Sequence, residues 1–163
     1  MSLPERIDLD IQWALANDAE QQSLHRALNE ELIHASVDAV LNTHHQGDAE
    51  MTIRFVDSAE SQQLNLAYRG QDKPTNVLSF PSELPDFVAS PLLGDLIICH
   101  AVVTQEALQQ TKSLAAHYQH LIIHGTLHLL GFDHINEADA NIMEAHEIAI
   151  LAQLGIDDPY QVD

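Results

Sequence analysis

The chain has 163 residues, 45% of them hydrophobic, and carries 25 Asp+Glu against six Lys+Arg, a formal net charge of −19. That length suits one domain with a sizeable core, so residues 1–163 are read as a single domain, and the charge excludes a generic polyanion binder, which shows a basic footprint. One cysteine, Cys99, excludes an intramolecular disulfide framework; with no apolar run near the ~20 residues of a membrane span and an acidic first ten residues, the expectation is a cytoplasmic protein with no signal peptide and no membrane partner.

Taken in chain order, Ile7-Asp8-Leu9-Asp10-Ile11 alternates as a half-buried strand does. Residues 20–42 place Leu24, Leu28, Leu32, Val37, Val40 and Leu41 at helical spacing, which predicts one helix. Residues 51–56 read as a strand. Asp57 with Glu60 predicts a helix start, and that helix runs to about Tyr68 and stops at Gly70. Short strands are expected over 76–80 and from Gly94 to His100, separated by a loop punctuated by Pro81, Pro85 and Pro91. Helices follow at about 101–112, 114–130 and 137–154, the last capped by Asn136 and ended by Gly155 and Pro159. Strands first, helices mostly later, with one strand–helix–strand passage, is an α+β pattern. The charge is uneven along this path. Residues 51–80 are neutral and hold Arg54, Arg69 and Lys73, three of the six basic residues.

The most informative segment is His124-Gly125-Thr126-Leu127-His128-Leu129-Leu130-Gly131-Phe132-Asp133-His134. His124 and His128, four apart on a helix, project from one face about 6 Å apart along the axis, so both imidazoles can reach one ion. A straight helix cannot bring in His134. Gly131 can, because glycine adopts the left-handed conformation that turns a chain back at a helix end. Three neutral nitrogens leave one position of a tetrahedral metal open, as in catalytic rather than structural zinc sites. An all-nitrogen set favours Zn²⁺, with Ni²⁺ or another divalent metal as the runner-up, over Mg²⁺. Of the eleven histidines, His117 and His120 are read as ordinary polar positions of the helix. His25, His34, His44, His45 and His146 are read as solvated. His100 beside Cys99 is set aside as a metal pair, since adjacent strand residues face opposite ways.

The spacing also matches the long zinc-protease signature, with one departure: Gly125 replaces the glutamate that serves there as general base. The ligand geometry is kept and the proton carrier is lost, which argues for a metal-dependent hydrolase and against a peptidase.

The segment His124–His134 resembles the H-G-x-L-H-L-x-G-[YF]-D-H signature of the YbeY endoribonuclease family of bacterial rRNA maturation factors. Leu64–Pro81 is similar to that family's N-x-x-Y-R-x-x-D-x-P-T-N-V-L-S-F-P block, and Leu93-Gly94-Asp95-Leu96-Ile97-Ile98 to its L-G-D-[IL]-x-I strand. The likeness runs from about residue 50 to 155. The first 45 residues carry no family motif, and Phe132 stands where many members have Tyr. The resemblance implies an α+β fold with a small mixed sheet of about four strands, five or six helices, and a three-histidine metal site in a cleft. It implies single-strand-specific, metal-dependent endoribonuclease activity in small-subunit rRNA 3′-end maturation and ribosome quality control. The expected partners are single-stranded RNA and the ribosome or small-subunit assembly proteins, with no DNA. It places the family's functional arginine on Arg69 and its functional histidine on His124, the first ligand.

On this reading His124, His128 and His134 bind one metal, and Arg69 holds the scissile phosphate through bidentate donors. Without the resemblance, Arg69 reads as the surface ion-pair partner of a nearby acid, of which Asp72 is one candidate. Lys73 and Arg54 are candidates for RNA backbone contacts or simply solvated. Asp133 either orients an imidazole or caps the turn after Gly131, Asp95 is read as structural, and no general base stands out. Two alternatives remain open from sequence: a metalloprotease-like hydrolase, and a non-catalytic ribosome assembly factor with a structural metal.

Overall fold

The computed structural model describes residues 7–45, 47–85, 90–133 and 135–160. The described elements are, in order, β1 (Ile7–Ala14), α1 (Asp18–Ala27), α2 (Glu30–His44), β2 (Ala49–Val56), α3 (Ser58–Arg69), β3 (Val77–Pro81), β4 (Leu92–Cys99), α4 (His100–Gln109), α5 (Leu114–Leu129) and α6 (Glu137–Gln153). The four strands form one mixed sheet in the order β1-β2-β4-β3. β1 and β4 run parallel to β2, and β3 pairs antiparallel with β4. This is the α+β architecture expected, with four strands and six helices among the described residues.

The single helix expected over 20–42 is two helices. Leu28 turns extended (φ −142°, ψ 122°), and the Asn29 side chain accepts from the Leu32 N–H at 2.9 Å, starting α2 afresh. Leu24, Leu28, Ile33 and Val37 are all buried, so the apolar period runs on across a break that only the capping asparagine marks. The fourth strand begins earlier than expected, at Leu92, and ends at Cys99. His100 is therefore the buried first residue of α4, with its Nδ1 against the Tyr118 hydroxyl. Part of the proline loop, residues 86–89, lies outside the described residues.

The sheet needs a glycine where β3 meets β4. Gly94 has φ +139°, and a Cβ there would stand 2.2 Å from the carbonyl oxygen of Phe80, paired one residue away in the ladder. The register of β2 on β4 shifts at this same place, between Glu50 and Met51.

The core is built around α5, which packs against α2, α4, α6, β3 and β4. Tyr118, Leu121, Ile122, Ile123, Leu127 and Leu129 of this helix are buried, and so are its polar His117, Gln119, His120 and Thr126, so it is enclosed on most sides. Phe55 links it to the sheet, edge-on to Tyr118 and stacked on Trp13. Among the described residues no helix is long and apolar enough to cross a membrane.

Candidate active site

Three elements meet at one opening. The first is the C-terminal end of α5, where His124 and His128 are half-buried while Thr126, Leu127 and Leu129 around them are enclosed. The two rings lie at 79° to each other, and their Nε2 atoms face one another at 3.1 Å. Two nitrogens at ~2.0–2.1 Å from one tetrahedral zinc ion are themselves about 3.4 Å apart, so this pair fits the separation a shared ion demands. After His128 the helix stops in a Schellman motif. The Phe132 N–H donates to the Leu127 carbonyl (3.1 Å) and the Gly131 N–H to that of His128 (3.0 Å), with Gly131 at φ +101°. The chain reverses there, as expected, and Asp133 reaches the lining of the opening. His134, the expected third ligand, lies outside the described residues. Among the described residues no three His, Cys, Asp or Glu side chains are placed to hold a metal ion together.

The second element is the end of α3. Asp57 caps the helix by accepting from the Glu60 N–H at 3.0 Å, and Gly70 stops it. Ser61 and Thr75 exchange hydrogen bonds of 3.1 and 3.0 Å, and Asn65 donates to the Lys73 carbonyl at 2.8 Å. These bonds clamp the loop after Gly70 against the helix, and the exposed Arg69 lines the opening. Asp72 accepts from Gln62 at 2.8 Å, and among the described residues it forms no ion pair with Arg69.

The third element is β3, with the residue before it. Asn76 accepts from the Val77 N–H through its own side chain (2.6 Å) and donates to Glu106 of α4 (3.1 Å), which anchors the strand's start. Together the three elements enclose a cavity of about 550 Å³ lined by Tyr68, Arg69, residues 75–80, His124, His128 and Asp133.

One residue of this site is absent from the sequence reading. Glu147 of α6 is 0% exposed and lies behind His124. Its Oε2 stands 3.1 Å from His124 Nδ1, and its Oε1 is 2.6 Å from His120 Nε2 and 2.7 Å from the Tyr160 hydroxyl. Burial alone would raise its pKa, but the hydrogen bonds from His120, His124 and Tyr160 outweigh that and hold it down to about 2. An ionised carboxylate at this position needs donors, so His124 carries its proton on Nδ1 and turns the lone pair of Nε2 toward His128 and the cavity. His120 is pushed below the ordinary histidine value by burial, partly offset by Glu147, so it is neutral and donates through Nε2.

A model of the Endoribonuclease YbeY family matches residues 14–155. The chain belongs to the Endoribonuclease YbeY family. An Endoribonuclease YbeY of Alteromonas mediterranea is 57% identical over 125 residues, covering 77% of this chain and 79% of that protein. The solution structure of TM1509 from Thermotoga maritima is similar with a TM-score of 0.49 and 22% identity, over 94% of this chain and 97% of that one. The YbeY match reaches back to residue 14, further than the likeness read from sequence, which begins near residue 50. The early segment without a nameable motif is thus largely inside the YbeY match, while Tyr160 is beyond it.

Other sequence readings need correction. His117 and His120, read as ordinary polar positions of the helix, are both buried, and His117 Nε2 pairs with Glu106 at 2.9 Å. Burial raises Glu106, but the bonds from His117 and Asn76 bring it net below the usual carboxylate range. His44 and His146 are half-buried, their rings 4.4 Å apart and both against Phe132, whereas His25 and His34 are exposed as expected. Arg54 is engaged away from the cavity, with Glu60 at 2.6 and 3.0 Å and Gln12 at 2.9 Å, which makes it a structural residue. Lys73 and Asp95 are exposed.

Gly125 explains the missing glutamate of the protease signature. A Cβ at this position would lie 2.8 Å from Leu96 Cδ2 on β4, so any side chain here would have to displace the buried Leu96 from the helix–sheet contact.

Proposed function

We propose that the protein is a metal-dependent endoribonuclease that cleaves single-stranded RNA, acting in the cytoplasm on the 3′ end of small-subunit rRNA and in ribosome quality control, with the ribosome or its assembly proteins as partners. The observation that carries this reading is the pair of facing Nε2 atoms of His124 and His128, 3.1 Å apart in a cavity that also holds Arg69. Membership of the YbeY family supports RNA as the substrate.

His124 and His128 would hold the ion, Zn²⁺ by preference for an all-nitrogen set or Ni²⁺ otherwise, together with His134. When bound, such an ion supplies Lewis acidity toward a phosphoryl oxygen and activates water. Arg69 binds the scissile phosphate through two parallel N–H donors and stabilises the charge that grows on it. Glu147 keeps His124 in the tautomer that leaves Nε2 free. It is enclosed, and both its oxygens accept hydrogen bonds, so it positions the ligand and takes no proton from substrate. The peptidase reading loses its base at Gly125, where Leu96 occupies the space.

The test is incubation of the metal-loaded protein with labelled single-stranded RNA and with casein, alongside elemental analysis. RNA is cut and casein is not. Arg69→Ala abolishes cleavage with metal content unchanged, and His128→Ala loses the metal. Full cleavage by Arg69→Ala, or normal metal content in His128→Ala, overturns the assignment.

A further inference from the structure

Tyr68 is 68% exposed at the end of α3, although it is one of the larger rings of the protein. It is not isolated on the surface. Its ring stands nearly perpendicular to that of Phe80, at 71° with centroids 5.0 Å apart, and both rings line the cavity that holds Arg69, His124 and His128. Phe80 is a rigid support, because it lies on β3 opposite Asp95 of β4 and its carbonyl packs on Gly94 too closely for any side chain there. The two rings therefore form a fixed aromatic corner at the cavity wall.

The corner adjoins the phosphate-binding group directly. Tyr68 and Arg69 are consecutive, with Cα atoms about 3.8 Å apart. A chain whose phosphate rests on Arg69 brings the base of a flanking nucleotide to Tyr68. Every base has a π-face, so stacking on an aromatic ring is tolerant of sequence. It does require a base with a free face, and in a duplex both faces are covered by neighbouring pairs. A peptide occupant is less suited to this wall, which combines the two rings with a guanidinium and the polar side chains of Asn76 and Ser79 in place of a continuous apolar groove.

We infer that Tyr68, supported by Phe80, stacks the nucleobase beside the scissile phosphate and that this contact is how the site selects unpaired RNA. The inference rests on the ribonuclease reading above and deepens it. Tyr68 touches substrate away from the reacting atoms, so its removal weakens ground state and transition state alike and appears in KM rather than kcat.

The experiment measures KM and kcat of the metal-loaded full chain on a short single-stranded RNA, then on versions with an abasic residue placed on either side of the cleaved bond. Tyr68→Ala raises KM by about 5- to 150-fold, the range for loss of one base–aromatic stack, while Tyr68→Phe and Tyr68→Trp stay within about threefold of wild type. At one of the two flanking positions the abasic residue costs wild type a similar factor and costs Tyr68→Ala nothing further. A KM for Tyr68→Ala within twofold of wild type overturns the inference, as does an equal abasic penalty in both proteins. Either result leaves the ribonuclease reading standing, whereas a wild-type protein that cuts no RNA overturns both.

Discussion

Replacing Glu147 by Gln keeps the size of the side chain and removes its charge. In the wild-type protein the two carboxylate oxygens accept from three donors, His120 Nε2, His124 Nδ1 and the Tyr160 hydroxyl, at 2.6 to 3.1 Å. An amide offers one accepting oxygen and one donating NH₂ group. If the oxygen stays with His120 and Tyr160, the NH₂ faces the Nδ1–H of His124, donor against donor. His124 then relieves the clash by moving its proton to Nε2, the atom needed for the ion, or by rotating away. Loss of such a supporting carboxylate costs roughly 10- to 100-fold in metal affinity, or about 1.4–2.7 kcal/mol. Competition for Zn²⁺ against a chromophoric chelator measures this directly, without any substrate. A second consequence follows from the depressed pKa. A carboxyl held at about 2 against an ordinary value of 4.5 contributes on the order of 3 kcal/mol above pH 4.5, and that contribution is lost as pH falls toward 2. In the metal-free proteins the stability gap between wild type and Glu147→Gln should therefore narrow over that window in urea unfolding. A variant that binds Zn²⁺ within twofold of wild type would show that Glu147 does not govern His124, and the account of the site given above would fail.

Three further outcomes are expected. Gly94→Ala forces a Cβ to 2.2 Å from the Phe80 carbonyl at φ +139°, so it should cost at least about 2 kcal/mol and lower the melting temperature by roughly 5 °C or more; an unchanged melting curve would contradict the close packing of β3 on β4. Arg54→Ala breaks a pair whose side chains are 34% and 31% exposed, so it should cost no more than about 1 kcal/mol and leave RNA cleavage within twofold, and a large loss of cleavage would return Arg54 to the substrate surface. Burial holds His100 below the ordinary histidine value of 6.5. The unfolded chain then binds protons first as pH falls, and stability declines below about pH 6.5. His100→Gln should flatten that part of the stability–pH curve, and an equally steep curve would mean that His100 titrates normally in the fold.

The parts of this structure that were legible from sequence are those governed by local chemistry. Asp57 and Gly70 bound α3, Asn136 starts α6 by accepting from the Asp139 N–H at 2.8 Å, and Gly131 turns the chain after His128, each through a backbone bond within a few residues. The i, i+4 histidine pair followed from helical geometry alone. What could not be read depends on partners far along the chain. His117 and His120 resemble ordinary polar positions of a helix until Glu106 from α4 and Glu147 from α6 are seen to meet them. Glu147 did carry a signal, because Met143, Ile150 and Leu151, four before it and three and four after it, are the buried stripe of α6, and an acid within such a stripe needs an internal partner. The break at Leu28 and Asn29 was hidden by an apolar period that continues through it.

The helix that presents His124 and His128 is also the one enclosed by α2, α4, α6, β3 and β4. Its backbone cannot open without parting the core, so the amides of these two residues should exchange slowly, which native-state hydrogen exchange would check. The geometry of the histidine pair therefore depends on the same packing that holds the core together. A substitution that loosens the interior, β3 included, should therefore disturb the histidine pair as well.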